Sequence, residues 1–197
     1  MRPTCLLPIV EGHGDAASFP VILRRLAGRL GRPVHVLPAW RVPRQRLVRM
    51  GELERIIELG ARKLAGTGSI LVLVDADDDL ACVLGPSLQA RAARARPDLL
   101  SAVVVANREK ESWFLASIES LAGRRGIPAD VQAPEAPDAI RGAKERIAGC
   151  MDRPYSEVTD QPALAALFDL DLARSRSPSF DKLVREFLRL VPEAPGE

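Results

Sequence analysis

Long hydrophobic runs are missing from this 197-residue sequence. Its longest apolar stretches, SILVLV and AVVVA, are far shorter than the roughly 20 residues that a membrane-spanning helix needs. The N-terminus also lacks a cationic segment leading into an apolar region, which a secretory signal would show. These absences predict a cytoplasmic protein, and the hydrophobic fraction of 47% is enough to build a sizeable core.

Cysteine and histidine are scarce. The three cysteines, Cys5, Cys82 and Cys150, lie far apart, and the two histidines, His13 and His35, do not complete a zinc-binding pattern with them. The cysteines are therefore expected to be buried free thiols. His13 stands between two glycines, which leaves open a surface position or a contact with substrate.

Acidic residues are absent from 16 to 51, although the net charge of the chain is only +2. Such a block is either an electrostatic surface for phosphates or a set of solvated helix faces in an arginine-rich chain, and both interpretations stay open. The block contains eight arginines: Arg24, Arg25, Arg29, Arg32, Arg41, Arg44, Arg46 and Arg49.

Hydrophobic periodicity predicts an α/β fold. Short apolar runs at 6–10, 34–37, 70–74 and 102–106 are typical of strands buried on both faces. Helical spacing separates and follows these runs, so we expect an open parallel sheet of about four strands flanked by helices. A proline-rich stretch then predicts a division into a core at 1–130 and a C-terminal helical extension at 131–197. Helices are expected at 15–30, 53–64, 87–96, 111–121, 138–150, 161–173 and 179–190.

Carboxylates stand directly after two of the predicted strands. Glu11 ends the first strand, and Asp75 and Asp77 end the third. Because ligands bind at the carboxyl ends of parallel strands, these groups should lie close together and bind a hard cation such as Mg²⁺ or Mn²⁺. Asp15, at the head of the next helix, is either a further ligand or only the helix N-cap. Gly12 and Gly14 permit a tight turn there.

Four motifs in order carry a resemblance to a known family. VEGHGD followed by VLVDADDD resembles the TOPRIM domain of topoisomerases, primases and the overcoming-lysogenization-defect nucleases. ANREKESWFLA and the C-terminal YSEVTDQPALAALFDLDLARSRSPSFDKLVREF are similar to small bacterial TOPRIM-like proteins of the domain of unknown function 4276 family. The resemblance covers nearly the whole chain and implies a TOPRIM-like, Rossmann-like core.

The resemblance implies roles for five carboxylates. Glu11 would be a metal ligand or the general acid or base, and Asp75 and Asp77 would hold Mg²⁺. Asp15 would complete a second metal site, so that two ions are expected. Glu111 would close the site from the neighbouring strand, with Glu109 as the weaker choice.

Residues of the C-terminal part are matched more loosely. Lys182, and with it Ser179, would contact the transferring phosphate and stabilise its charge, by resemblance to a late lysine of related nucleases. Tyr155 has no such role implied, since topoisomerases keep their tyrosine nucleophile in a separate domain. Its function stays open, as do those of Ser179, His13 and Glu109.

Three classes of function remain. The first is a metal-dependent nuclease acting on nucleic acid, with DNA favoured over RNA, as the effector of an ATPase-coupled anti-phage defence or DNA-processing system. The second is a Mg²⁺-dependent phosphatase or phosphotransfer protein, and the third is a regulatory partner subunit. The sequence has no GxxxxGK[ST] loop, so any ATPase is expected on a separate chain, which the resemblance implies to be an ABC-type, overcoming-lysogenization-defect-like subunit. A homodimer is a further option.

Overall fold

The computed structural model describes residues 4–193. Its centre is a five-stranded parallel sheet, and helices cover both faces. The strands are β1 (Thr4–Val10), β2 (Val34–Val36), β3 (Trp40–Arg41), β4 (Ser69–Asp75) and β5 (Leu100–Ala106). The helices are α1 (His13–Arg29), α2 (Arg44–Val48), α3 (Glu52–Leu64), α4 (Ala81–Ala95), α5 (Ser112–Leu115), α6 (Ala143–Cys150), α7 (Glu157–Leu167), α8 (Leu170–Arg176) and α9 (Pro178–Leu190).

The sheet has one strand more than the sequence predicted, because its first edge is interrupted. The order is β2-β1-β4-β5, and the short β3 pairs with the end of β1 on the same side as β2. Leu6 and Val10 accept hydrogen bonds from the edge side at 2.9 and 2.8 Å, so the intervening Pro8 faces that side too. Proline has no N–H to donate. The edge strand breaks opposite it, and β3 resumes the pairing.

Two hydrophobic cores lie on the two faces of the sheet. Helices α2, α3 and α4 cover one face, where Leu47, Ile57 and Leu88 pack against β4 and β5. On the other face, α1 packs together with α5 and with the helices α7 to α9 of the C-terminal segment. Phe180 and Phe187 of α9 are fully buried there. The C-terminal helices therefore share a core with the sheet.

Aromatic side chains join the C-terminal helices to the segment after β5. Trp113 meets Phe180 edge to face with ring centroids 5.2 Å apart, and Phe114 meets Phe168 at the same distance. The indole N–H of Trp113 donates to the Ser179 hydroxyl at 2.8 Å. Buried aromatic pairs of this kind add about 0.5–1.5 kcal/mol beyond their burial.

Several predicted helices differ from the observed ones in their ends. The helix expected at 111–121 is split into α5 and a 3₁₀ turn at Ile118–Leu121. The helix expected at 161–173 is split into α7 and α8, because Asp169 caps a new helix by accepting the Leu172 N–H at 2.8 Å. α4 begins at Ala81, earlier than the expected residue 87.

No helix among residues 4–193 is long and apolar enough to cross a membrane.

Candidate functional site

A cleft of about 300 Å³ opens at the carboxyl ends of β1 and β4. Strand ends, the first turn of α1 and the helices α6 and α7 form its walls, so both the N-terminal and the C-terminal parts of the chain contribute. Eight carboxylates line it: Glu11, Asp15, Asp75, Asp77, Glu109, Glu111, Glu145 and Glu157. Lys144, Gln161, Gly12 and Gly14 complete it. We call it the acidic cleft.

Glu11 and Asp75 meet at its base. The main-chain N–H of Asp75 donates to Glu11 Oε1 at 2.9 Å, which fixes the first carboxylate against the end of the neighbouring strand. The other oxygen, Glu11 Oε2, is buried and has no hydrogen-bond partner among the described residues. A buried carboxylate oxygen without a donor is costly. This oxygen is therefore the strongest indication that the cleft receives a cation or a donor from outside the chain.

Asp77 stands beside this pair on a strained turn. Its φ of 50° lies in the left-handed region, and its N–H donates to the Arg108 carbonyl at 3.0 Å. Arg44 from α2 holds the Asp77 carboxylate with a 3.1 Å ion pair, and the same guanidinium donates to the carbonyl oxygens of Asp75 and Ala76. The turn that carries the predicted Asp-x-Asp motif is thus held in place by one arginine.

A fully buried lysine lies beneath the cleft. Lys110 Nζ is 2.6 Å from Asp15 Oδ1 and also donates to Ser18 and Gln161, while its main-chain N–H donates to Asp75 Oδ1 at 2.9 Å. Asp15 also accepts the Gly12 N–H at 3.1 Å. The helix N-cap is therefore Gly12, and the prediction that Asp15 caps the helix is wrong: it is the third helical residue, and it pairs with a lysine.

Gln161 of α7 connects this lysine to Glu111. Its side-chain amide accepts from Lys110 through the oxygen and donates to Glu111 through the nitrogen. Gln161 reaches the cleft by crossing α1 at Gly14, where a Cβ atom would stand only 2.0 Å from the Gln161 Oε1. A methyl group at 14 would therefore displace the Gln161 amide from its hydrogen bonds with Lys110 and Glu111.

The carboxylates at the base of the cleft have raised pKa values. Burial raises the pKa of Glu11 to about 7, and the charges of Asp15 and Asp77 add to this effect against the Asp75 N–H. Burial also raises the pKa of Asp75 well above its usual range, with contributions from Asp15 and Glu111. The pKa of Glu111 rises, again chiefly through burial. Negative charge is therefore poorly compensated here.

The pKa of Lys110 is raised by the same cluster of acids. Burial by itself lowers the pKa of Lys110, but the charges of Asp15 and Glu111 outweigh burial, and the pKa ends above its usual value. The lysine therefore stays charged and is a permanent positive group within the acidic cluster.

Within residues 4–193, no group of three or more His, Cys, Asp or Glu side chains is arranged as a ready-made metal site. Two of the acids at the cleft are in ion pairs, Asp77 with Arg44 and Asp15 with Lys110. The donor set nevertheless fits Mg²⁺ or Mn²⁺. Mg²⁺ is commonly bound by one or two carboxylates, with water and substrate phosphate completing its shell. Glu11 with its unpartnered oxygen and the adjacent Asp75 meet that requirement.

Two of the residues matched loosely in the C-terminal part lie outside the acidic cleft. Lys182 pairs with Glu186 on the outer surface of α9 and lines a separate groove. Ser179 is buried, where it accepts from Trp113 and donates its N–H to Asp138 at 3.0 Å. The structure does not bring either of them to Glu11 and Asp75.

The remaining residues of open role have clear positions. Glu109 accepts the main-chain N–H groups of Gly142 at 2.9 Å and Lys144 at 3.1 Å, and so holds the loop before α6 against the cleft. His13 is an exposed first residue of α1. The Tyr155 hydroxyl is buried without a hydrogen-bond partner among residues 4–193, and burial raises its pKa. A neutral phenol of this kind is poorly suited to nucleophilic attack.

Six of the eight arginines between 24 and 49 have hydrogen-bond or ion-pair partners within residues 4–193. Arg25 donates to the carbonyl oxygens of Ala165 and Phe168 at 2.8 Å, which ties α1 to the end of α7. Arg29 pairs with Asp171 of α8, and Arg44 lies at the acidic cleft. Arg24 reaches the Val36 carbonyl, Arg32 pairs with Glu193, and Arg46 pairs with Glu52.

Sequence reasoning did not single out Lys110, Gln161 or Arg44 as members of this site. Lys110 offered a weak signal, since it is one of only four lysines and lies beside Glu111 in the REKESW motif. Gln161 had no local signal, because its role depends on α7 crossing α1.

The comparisons with known proteins bear on the family of the chain. No curated protein and no solved structure was found to match it. The family model described as Domain of unknown function (DUF4276) matches residues 10–188, which include β4, β5 and every residue of the acidic cleft. The chain therefore belongs to the DUF4276 family.

Proposed function

We propose that this protein is a metal-dependent phosphodiesterase that acts on nucleic acid, with Glu11, Asp75 and Asp77 as the metal-binding carboxylates. The single observation that carries the proposal is the buried, unpartnered Glu11 Oε2 beside Asp75. The TOPRIM-like order of a strand-end glutamate followed by Asp-x-Asp agrees with it. Bound Mg²⁺ would polarise a phosphoryl oxygen and lower the pKa of a bound water.

The chain's own residues would prepare the site for this chemistry. Arg44 holds the Asp77 turn, and Asp75 is oriented by the Lys110 N–H. Half-buried Lys144 lines the cleft, and Arg108 and Arg141 line a pocket that shares Asp77 and Glu109 with it. The three cations pair with Asp78 or Glu157, and phosphates on either side of a scissile bond would replace those carboxylates. DNA is the substrate that we favour.

We infer a single metal ion rather than two. Asp15, the expected ligand of a second ion, is held by the Lys110 ammonium, and Glu111 is held by Gln161. A permanent positive charge within the cluster supplies part of the compensation that a second cation would give. Lys110 is too deeply buried to touch substrate, so it is a positioning residue.

ATP hydrolysis, where it is coupled to this reaction, would belong to a partner ATPase, because the printed sequence contains no Walker-type loop. The protein would then be the effector subunit of a defence or DNA-processing system. A regulatory subunit without activity of its own is the competing proposal.

Titration with Mn²⁺, followed by cleavage assays, tests the proposal. Calorimetry should give one site per chain, and Asp75→Asn should weaken binding at least tenfold, whereas the surface control Asp171→Asn should not. Plasmid, linear DNA, RNA and p-nitrophenyl phosphate are then compared with and without Mg²⁺. Metal-dependent cleavage of nucleic acid that Asp75→Asn abolishes is the expected result. Hydrolysis of the small ester alone would favour a phosphatase, and absence of metal binding would leave the regulatory subunit.

A further inference from the structure

A second groove, of about 860 Å³, runs along the free edge of β5. Helix α4 forms one wall with Leu80, Gly85 and Pro86, and the start of α9 forms the other. The floor carries Val103 and Val105. Since β5 is the last strand of the sheet, the groove occupies the place where a sixth strand would lie. We call it the edge groove.

Hydrogen bonds define which peptide groups of β5 face the edge groove. The Ala106 carbonyl accepts from Ala76 on the β4 side at 2.9 Å. Because the N–H and C=O of one strand residue point the same way and alternate along the strand, Ser101, Val103 and Val105 direct theirs outward. These outward groups are what a further strand would pair with.

A glutamine side chain already occupies the first of these pairing positions. Gln89 Nε2 donates to the Ser101 carbonyl at 3.1 Å, and Gln89 Oε1 accepts the Val103 N–H at 2.7 Å. One amide thus makes the two hydrogen bonds that a peptide group of a neighbouring strand would make. The outward groups of Ser101 and Val103 are therefore placed for strand pairing, and the Gln89 amide takes the place of a neighbouring strand there.

Beyond Gln89 the pairing groups are open. Among the described residues, no hydrogen bond is made to the Val103 carbonyl or to the N–H and C=O of Val105. They lie in the floor of the edge groove, where Val103 and Val105 are 3% and 8% exposed. Unpaired peptide groups at a sheet edge are the usual template for strand addition.

The walls of the edge groove indicate the kind of occupant. Leu80, which is 69% exposed, and the two prolines Pro86 and Pro178 offer apolar contacts. Lys182 and Arg185 stand along the α9 wall, paired with Glu186 and Asp181 of the same helix. The Lys182 and Arg185 side chains are 44% and 59% exposed, and ion pairs of such side chains contribute little and can be exchanged for another carboxylate. The groove thus suits a segment that carries both apolar and acidic side chains.

A second copy of the chain fits this place less well than a single segment. Edge-to-edge pairing of two sheets would require β5 to be flush with the surface, but the edge groove is walled on both sides by α4 and α9. A single extended segment would lie only about 4.8 Å from β5, so it fits between the two walls.

We propose that the edge groove binds an extended segment of a protein partner, which pairs with Val103 and Val105 as a sixth strand and directs carboxylates toward Lys182 and Arg185. This proposal does not depend on metal binding or on nuclease activity. It assigns a partner surface to the face beside the acidic cleft, since Asp79 and Arg108 lie at the end of the groove nearest Asp77.

Cys82 lines the edge groove and provides the test. It is exposed, so the prediction of a buried thiol is wrong for this residue. The probes are acetylated hexapeptides of alternating Val and Glu with a cysteine at either end, offered as mixed disulfides with cysteamine in a fixed reducing buffer. Two further versions carry N-methyl groups on one or the other set of alternate amides. Mass spectrometry after digestion measures the fraction of Cys82 that is captured, with Cys5 and Cys150 as internal controls.

We expect the exchange constant at Cys82 to be at least tenfold higher for the Val/Glu peptide than for a Gly/Ser peptide of the same length. This gain should be lost in one of the two N-methylated versions. Val105→Pro should also remove the gain, because proline has no N–H with which the peptide could pair. The variant should still fold, because the missing N–H faces outward from an edge strand. Equal capture of all peptides by the wild-type protein would overturn the proposal. Preferential capture of a thiol-modified oligothymidine would also overturn it, by assigning the groove to nucleic acid.

Discussion

The main-chain N–H of Asp75 donates to the side chain of Glu11 at 2.9 Å, so that the ends of two neighbouring strands are joined through the two residues whose carboxylates define the acidic cleft. The bond uses one oxygen of Glu11 and leaves the other buried without a donor among residues 4–193. The cleft is thus built around a charge that the described part of the protein does not compensate.

Glu11→Gln should stabilise the metal-free protein and impair metal binding. The amide keeps the acceptor for the Asp75 N–H and removes a charge that burial and two neighbouring acids disfavour. We expect the free energy of unfolding at pH 8 to rise by about 1–2 kcal/mol, after allowance for partial exposure, and Mn²⁺ affinity to fall at least tenfold. Urea unfolding and calorimetry measure both. A less stable variant would show that Glu11 has a donor after all.

Stability of the metal-free protein should fall as pH rises toward neutrality. The folded-state pKa of Glu11, about 7, lies above the ordinary value of 4.5, so the favourable contribution is complete below about 4.5 and is lost as pH passes 7. Asp75 and Glu111 shift in the same direction. Thermal melts between pH 5 and 8 should show this decline, and Mg²⁺ at millimolar concentration should reduce it. A profile that Glu11→Gln leaves unchanged would contradict this origin.

Gly14→Ala and Gly28→Ala form a matched pair within α1. A methyl group at 14 would collide with Gln161, whereas nothing lies within 4 Å of a Cβ at 28. Gly14→Ala should lower the free energy of unfolding by about 1–3 kcal/mol, as overpacking does. Gly28→Ala should raise it by up to about 1 kcal/mol through helix propensity. Equal effects of the two substitutions would mean that Gln161 does not cross α1 at Gly14.

Lys110→Met should be strongly destabilising, because it leaves Asp15 and Glu111 without their buried cation. Breaking a buried pair costs about 3–5 kcal/mol. Adding Asp15→Asn should recover part of this loss, since the double variant removes both charges. Chemical unfolding of the two single variants and the double variant gives the coupling free energy. Additive effects would indicate that the 2.6 Å contact contributes no coupling.

Arg44→Ala and Arg46→Ala separate a positioning role from a surface charge. Arg44 donates to the carbonyl oxygens of Asp75 and Ala76 and pairs with Asp77, whereas Arg46 pairs with Glu52 at the surface. Arg44→Ala should cost about 1–3 kcal/mol of stability and weaken Mn²⁺ binding, because the Asp77 turn loses its support. Arg46→Ala should stay within about 0.5 kcal/mol. Equal losses would remove the positioning role.

The fold class and the grouping of carboxylates at one end of the sheet could be predicted because both depend on local patterns. Runs such as SILVLV specify buried strands, and a parallel sheet brings the carboxyl ends of its strands to one edge, so Glu11 and Asp75 were expected at the same edge. That β1 and β4 are direct neighbours is a finding of the tertiary structure. The sequence did not predict β3, because this strand has only two residues. Its separation from β2 also depends on Pro8 in β1, which has no N–H to donate.

The sequence by itself determined an α/β protein with carboxylates at the end of its sheet. Only the tertiary structure decided which charges face one another: that Asp15 pairs with Lys110, that Arg44 holds Asp77, and that Lys182 lies along the edge groove. Alternation and spacing act over a few residues, and they fix elements and their faces. The ion pairs of Asp15 with Lys110 and of Arg44 with Asp77 join residues that are 95 and 33 positions apart in the sequence. They depend instead on how α1 and α2 pack against the sheet, because Coulomb attraction is decided by distance in space.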